Sequence, residues 1–285
     1  MMLILDGKLV AQTRRKQLTE RIKAFQAQRH KVPGLAVILV GDDPASAVYV
    51  RNKIAACEAV GIRSMEYRLP ANATMDQVRR QIQALNQNPE VHGILLQLPL
   101  PKPLNSDQLT NLIAPEKDPD GLTSANLGLL LAGRPRSVSC TPFGVMKILE
   151  YYKIPIEGRH AVVVGRSQIV GKPMAQLLLA ANATVTICHS RTKDLESFTR
   201  QGDIVVVAAG QPEFLGKSAF KKDAVVVDVG MHRQNLPDGK TKLVGDVRGA
   251  ELQGWVSALT PVPGGVGPMT ITMLLENTLQ LAELS

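Results

Sequence analysis

The sequence predicts an α/β protein of two domains, each a parallel sheet covered by helices. Three observations carry this. The chain has 285 residues, about two domains of ordinary size. Hydrophobic residues make up 45% of it but aromatics only 4%. Its cores must therefore be built from Val, Ile, Leu, Ala and Met, a composition suited to buried parallel strands. Helical and strand-like segments also alternate in both halves, the pattern of parallel sheets.

The elements follow in order. Residues 8–29 read as a helix, with Leu9, Ile22 and Phe25 among its apolar positions. Residues 35–40 form a continuous apolar strand that stops at Gly41-Asp42-Asp43-Pro44. A helix over about 45–60 is closed by Gly61, where a glycine C-cap is expected. Residues 63–69 read as a strand, 74–87 as a helix and 92–98 as a strand. Proline punctuation follows at 99, 101, 103, 115 and 119, and a helix near 142–152 leads onward. The second half opens with a strand at 161–164 and a helix over about 172–181. Short Val-rich strands follow at 184–188, 203–208 and 224–229, and the tail, 268–282, is an apolar helix. The chain has no internal repeat.

Cys57, Cys140 and Cys188 are odd in number and far apart, which argues against a disulfide framework or a structural zinc site. The histidines at 30, 92, 160, 189 and 232 lack metal-ligand spacing, so no metal is expected. No apolar run approaches the roughly 18 residues of a membrane span. The apolar first five residues meet Asp6 too soon for a signal-peptide core. A cytoplasmic protein without a membrane partner is the expectation. The formal charge is +8, but the basic residues are scattered and aromatic platforms for bases are scarce. Anionic small molecules fit better than nucleic acid.

Residues 160–189 form a strand–turn–helix–strand unit. Its turn reads Gly165-Arg166-Ser167-Gln168-Ile169-Val170-Gly171. Glycines let backbone approach a pyrophosphate, and a helix N-terminus offers N–H groups and the positive dipole end. Arg166 and Ser167 depart from the usual Gly-x-Gly, so a purely structural turn stays open. Dinucleotide folds that take NAD place an acid at the end of the second strand. Here that position reads Cys188-His189-Ser190-Arg191-Thr192. Ser190, Arg191 and Arg166 can accept a 2′-phosphate through charge-assisted hydrogen bonds, which favours NADP. Helix capping by the same stretch is the alternative.

Ser46, Tyr49 and Lys53 fall on one face of the 45–60 helix. A Tyr–Lys pair facing a cleft offers a stacking ring and a proton donor or acceptor; spacing alone fits a solvated face as well. Gln97 is a lone polar residue at the C-terminal end of an apolar strand, where open α/β sheets bind ligands. Asp120 sits in Asp118-Pro119-Asp120-Gly121, which also reads as a turn. Pro263 and Gly264 belong to a glycine–proline loop at 261–270 that fits a cleft wall or a hinge.

Together and in this order, these segments resemble the methylenetetrahydrofolate dehydrogenase/cyclohydrolase family from about residue 5 to 282. The matching blocks are Ser-x-x-Tyr-x-x-x-Lys at 46–53, Gly-x-x-x-Gln-Leu-Pro-Leu-Pro at 93–101, Asp-x-Asp-Gly at 118–121 and Cys-Thr-Pro at 140–142. They continue with Gly-Arg-Ser-x-Ile-Val-Gly-x-Pro at 165–173, Asp-Val-Gly at 228–230, Gly-Asp-Val at 245–247 and Pro-Val-Pro-Gly-Gly-Val-Gly-Pro-Met-Thr at 261–270.

The resemblance implies a folate-binding catalytic domain at 1–139, joined by a returning C-terminal helix at 268–285. It implies a Rossmann-type NADP domain at 140–267. It makes Lys53 the acid/base of hydrolysis, tuned by Gln97, with Tyr49 stacking on folate beside Ser46. Asp120 would hold the pterin edge, and Pro263 and Gly264 would line the folate site. Gly165, Arg166, Ser167, Ser190 and Met231 would touch NADP. A homodimer through the second domain is implied too. Two positions depart from the family pattern: Ser139 replaces a usual proline, and Met231-His232 replaces a more common Ile-Asn. The rivals are a shikimate-type NADP dehydrogenase, a family member with one activity, and a basic nucleic-acid-binding protein.

Overall fold

The computed structural model describes residues 2–235 and 241–285. The chain forms two compact units, one of Thr13–Cys140 with Ile271–Ser285, the other of Met1–Gln12 with Thr141–Thr270.

The chain opens with a two-residue strand, β1 (Leu3–Ile4), and helix α1 (Gly7–Arg29). Strand β2 (Gly34–Val40), helix α2 (Pro44–Val60), strand β3 (Arg63–Leu69), helix α3 (Met75–Gln87) and strand β4 (Gly93–Leu96) follow. The three longer strands form a parallel sheet in the order β3-β2-β4. Central β2, Gly-Leu-Ala-Val-Ile-Leu-Val, is buried throughout, as a continuous apolar run on a two-faced sheet must be. Asp43 caps α2 by accepting from Ser46 N at 2.8 Å, Pro44 occupies the first turn, and left-handed Gly61 (φ 92°) ends the helix. A Thr74–Gln77 capping box starts α3, which buries Val78, Ile82 and Leu85 against the sheet. Two short helices, α4 (Ser106–Thr110) and α5 (Ser124–Leu131), lead to α6 (Cys140–Tyr151).

The second unit alternates β5 (His160–Val164), α7 (Gly171–Ala180), β6 (Thr184–Cys188), α8 (Leu195–Thr199), β7 (Ile204–Val207) and β8 (Val225–Asp228). A two-stranded antiparallel pair, β9 (His232–Asn235) and β10 (Thr241–Val244), precedes β11 (Ala258–Leu259). The main sheet is parallel, in the order β1-β11-β8-β7-β5-β6. Its core is aliphatic, with Val162, Val164, Val205, Val207 and Val226 around one buried ring, Phe220. Each such side chain contributes roughly 1.5–3 kcal/mol by leaving water.

Helix α9 (Val266–Leu284) ends the chain. From residue 271 it belongs to the unit of the first sheet. Arg14 of α1 grips Glu276 through two 2.8 Å bonds, and Arg15 Nε donates to Thr272 Oγ1 at 2.9 Å. The C-terminal helix thus returns to the first domain, as expected. The apolar start of the chain, expected only to be too short for a signal core, supplies the edge strand β1 beside β11. No described helix is long and apolar enough to cross a membrane.

Candidate active site and dinucleotide-binding turn

Lys53 and Gln97 lie 44 residues apart and meet in the first unit. Gln97 follows β4, and its backbone N–H continues the ladder to Ile38 O at 2.9 Å. That places its side chain at the C-terminal ends of β2 and β4. Its Nε2 donates to Leu98 O at 2.6 Å, which fixes the amide so that Oε1 faces outward and accepts from Lys53 Nζ at 3.0 Å. Gln97 is buried, Lys53 half-buried and Tyr49, one turn earlier on α2, exposed. Ser46 is buried near the start of the same helix. A lysine held against an oriented amide, with an aromatic ring one turn away, can exchange a proton with a bound ligand and offer it a flat face.

Asp120 joins this pair electrostatically. Burial pushes its carboxyl above the usual range, the Lys53 ammonium and the Cys140 thiol pull it back, and Asp118 adds a smaller upward push. The 118–121 turn is built to hold Asp120. Asp118 is buried, and its Oδ2 accepts from Thr123 N at 2.8 Å and Asn126 Nδ2 at 2.9 Å. Gly121 adopts φ +63°, and a Cβ there would stand 2.8 Å from Val138 C. Cys140 donates to Pro119 O at 3.3 Å. Burial, and next the Asp120 charge, push that thiol far up, so it stays protonated and inert. Asp120 therefore sits in a turn, as one reading allowed, but a turn tied down on both sides.

In the second unit, Gly165 takes φ +137°. A Cβ on it would stand 3.0 Å from the Ala208 carbonyl carbon and closer still to its oxygen. A Cβ on Gly171 would collide with the Gly165 carbonyl. Both glycines thus serve close backbone approach between the β5 turn, the β7 end and the start of α7, the packing a dinucleotide turn requires. Ser167 holds the turn shut: its Oγ accepts from Val170 N at 3.1 Å and Gly171 N at 3.4 Å. The sequence predicts unoccupied N–H groups at this helix start, and the structure instead gives two of them to Ser167.

Arg166, Ser190 and Arg191 are exposed. Ser190 and Arg191 lie in a tight turn after β6, where Thr192 Oγ1 accepts from His189 N at 2.9 Å and Arg191 N donates to His189 Nδ1 at 3.1 Å. No helix begins at 193; α8 starts at Leu195 without a side-chain cap. The stretch therefore caps no helix. With no acid in it, the turn fits a 2′-phosphate.

Two buried carboxylates that sequence reasoning left without a role shape the same edge of the sheet. Asp228, at the end of β8, accepts from Gly230 N, Asp246 N and Val247 N, each at 2.9 Å. Asp246 accepts from Ala209 N at 2.7 Å and from Gly210 N and Gln211 N at 3.0 Å, and pairs with His232 Nε2 at 2.7 Å. Burial still outweighs the three donors on Asp228 and raises its carboxyl to about 6. Gly230 and Gly245 are required because a Cβ on either would strike the other loop's carboxylate. Met231 is exposed between Gly230 and His232, both tethered to this knot. The signal lay in the two blocks at 228–230 and 245–247, which show carboxylates beside glycines but not their pairing.

Pro263 and Gly264 lie in the second unit, where Gly264 O accepts from Lys8 N at 2.9 Å. Of the predicted folate-site residues, the structure brings together Lys53, Gln97 and Asp120. Among the described residues no group of three or more His, Cys, Asp or Glu is arranged to hold a metal ion.

Comparison with known proteins agrees with both halves. Residues 5–120 match the catalytic domain of tetrahydrofolate dehydrogenase/cyclohydrolase, and residues 139–285 match its NAD(P)-binding domain. The chain is 56% identical over 283 residues to the bifunctional protein FolD of Bdellovibrio bacteriovorus, covering 99% of this chain and 97% of that one. Among solved structures, the bifunctional FolD of Campylobacter jejuni superposes with a TM-score of 0.95 at 46% identity, covering 100% and 99% of the two chains. The Trypanosoma brucei enzyme, solved with NADP cofactor and inhibitor, gives 0.94 at 39% identity, covering 99% and 98%. The chain belongs to the tetrahydrofolate dehydrogenase/cyclohydrolase family.

Proposed function

We infer that this chain is a bifunctional one-carbon folate enzyme. It oxidises 5,10-methylene-tetrahydrofolate to 5,10-methenyl-tetrahydrofolate with NADP, then hydrolyses the product to 10-formyl-tetrahydrofolate. The observation that carries the reading is the Lys53–Gln97 bond beside Asp120, in a chain whose two halves match the two domains of that family. A shikimate-type dehydrogenase has no need of these residues and is not favoured.

The residue roles are those the family resemblance implies, and each suits the chemistry of its group. NADP, when bound, supplies the hydride acceptor, so the first step is chiefly positioning. Gly165 lets backbone approach the pyrophosphate, Ser167 keeps the turn in shape, and Arg166 and Ser190 receive the 2′-phosphate. Met231 contacts the cofactor from the Asp228–Asp246 knot. On the folate side Tyr49 stacks on the substrate beside Ser46, and Asp120 accepts from the pterin edge. Pro263 and Gly264 contact the folate from the 261–270 loop. In hydrolysis, water adds to the methenyl carbon and loses a proton. The carbon–N5 bond then breaks as N5 takes one and the carbinol hydroxyl gives up its own, leaving the formyl group on N10. Lys53 relays these protons, and Gln97 holds its Nζ in place.

The same reading gives residues 1–139 and 268–285 to folate and 140–267 to NADP. It includes a homodimer through the second domain, a cytoplasmic location and no nucleic-acid partner. The scattered basic residues support the last point, and light scattering tests the dimer. The activity test is the chain with methylene-tetrahydrofolate and either NADP or NAD, with reduced cofactor and methenyl-folate followed separately. Reduced cofactor with NADP and accelerated methenyl decay are expected. Absence of reduced cofactor with both nucleotides removes the dehydrogenase.

A further inference from the structure

Asn277 projects from α9 into the interior behind Asp120 and is 1% exposed. Its Nδ2 donates to Pro119 O at 2.7 Å and to Val138 O at 2.9 Å, and lies 3.7 Å from Cys140 Sγ. Pro119 immediately precedes Asp120, and the Cys140 thiol donates to the same Pro119 carbonyl at 3.3 Å. One amide therefore ties together the two segments that flank Asp120. A buried amide spending both N–H groups on two separate loops is costly to replace, because Pro119 O keeps only the weaker Cys140 thiol and Val138 O loses this donor. It is also well suited to fix the register of one loop against the other.

We propose that Asn277 is a positioning residue for folate recognition: with Cys140 it holds the Asp120 carboxyl at the angle and depth at which it meets the substrate. The last helix thereby becomes part of the substrate site without touching the substrate. The proposal rests on the reading that Asp120 holds the pterin edge, and its test separates the two.

The experiment is a double-mutant cycle on the full chain, measuring folate KM, kcat and the NADP dissociation constant for Asp120→Ala, Asn277→Ala and the pair. Asn277→Ala should raise folate KM about tenfold with kcat changed less than about twofold and NADP affinity unchanged. In the Asp120→Ala background it should change KM hardly at all, because the group it positions is gone. A merely structural role predicts that the Asn277→Ala effect persists in full in that background, which overturns the proposal while leaving the Asp120 assignment intact. If Asp120→Ala alone leaves folate KM unchanged, the Asp120 assignment fails and the proposal with it. Cys140→Ala, which strands no backbone carbonyl on two loops at once, is the second variant should Asn277→Ala not fold. It should raise folate KM about threefold alone and not in the Asp120→Ala background, and full additivity there also overturns the proposal.

Discussion

Gly171→Ala is the substitution whose cost can be worked most directly from the structure. A Cβ at this position would stand 2.7 Å from Arg166 N and closer still to the carbonyl carbon and oxygen of Gly165. All three are backbone atoms, so no side chain can swing aside. Ordinary contact needs the 165–166 turn or the first turn of α7 to move by about 1 Å. Alanine's better helix propensity returns at most about 1 kcal/mol, less at a first helical residue. Overpacking against backbone costs about 1–3 kcal/mol, so the clash wins. Taken at the cofactor turn, the net cost corresponds to an NADP complex weaker by roughly a few-fold to a hundredfold. The assay is a fluorescence titration with NADP, paired with hydrolysis of methenyl-tetrahydrofolate in the absence of cofactor. NADP binding should weaken and hydrolysis stay within about twofold of the parent, because Lys53, Gln97 and Asp120 belong to the other unit. Unchanged NADP affinity would refute the reasoning that Gly171 exists for this close approach.

Ser190→Asp should reverse the cofactor preference: a carboxylate after β6 repels a 2′-phosphate, weakening NADP about tenfold or more while improving NAD, as read from kcat/KM for each. Asp118→Ala leaves Thr123 N and the Asn126 amide without their acceptor in the interior. It should lower stability by about 2–4 kcal/mol in chemical denaturation and raise folate KM by loosening the Asp120 turn. Asp228 makes a pH prediction. Its folded-state carboxyl lies at about 6 against an ordinary 3.8, so the folded chain holds this proton more tightly. The resulting stabilisation is fully present below about 3.8 and is lost as pH rises through about 6, on the order of 3 kcal/mol across that window. Asp228→Asn should be less stable throughout, but the gap to the parent should narrow from pH 4 to pH 6.5; parallel profiles would count against it.

Much of the scaffold was legible because local signals were strong. Strands 63–69 and 184–188 coincide with the observed β3 and β6: β6, Thr-Val-Thr-Ile-Cys, is a β-branched run, and β3 follows the Gly61 stop of α2. The helix at 45–60 is α2 to within a residue because Asp43, Pro44 and Gly61 mark its ends. What was missed is set by distant partners. Strand β1 is two residues that extend only because β11 lies beside them. The β9–β10 pair is a polar, exposed ribbon with no apolar alternation to announce it. Helices α4 and α8 are five residues each, too short for a period to show.

The candidate site divides in the same way. Spacing placed Ser46, Tyr49 and Lys53 on one helix face and Gln97 at a strand end, but not the bond between Lys53 and Gln97; only the family resemblance joined them. Asp246 and Asn277 were invisible as supporting residues because each acts on backbone far away in sequence, and Asp118 because its partners, Thr123 N and Asn126 Nδ2, lie outside the 118–121 turn. The departure at 231–232 also found a physical reading. His232 places its Nε2 on Asp246, so this residue pair keeps a polar tether to the carboxylate knot. The other departure, Ser139, is simply buried.

We propose that Lys53 carries the hydrolytic chemistry in one unit while NADP is bound by the other. Lys53→Met keeps much of the apolar stem and removes the amine, so methenyl-tetrahydrofolate hydrolysis and NADP affinity should be measured together on this one variant. Hydrolysis should fall by about 10²–10⁴-fold with NADP affinity unchanged. Hydrolysis at the parent rate would contradict it.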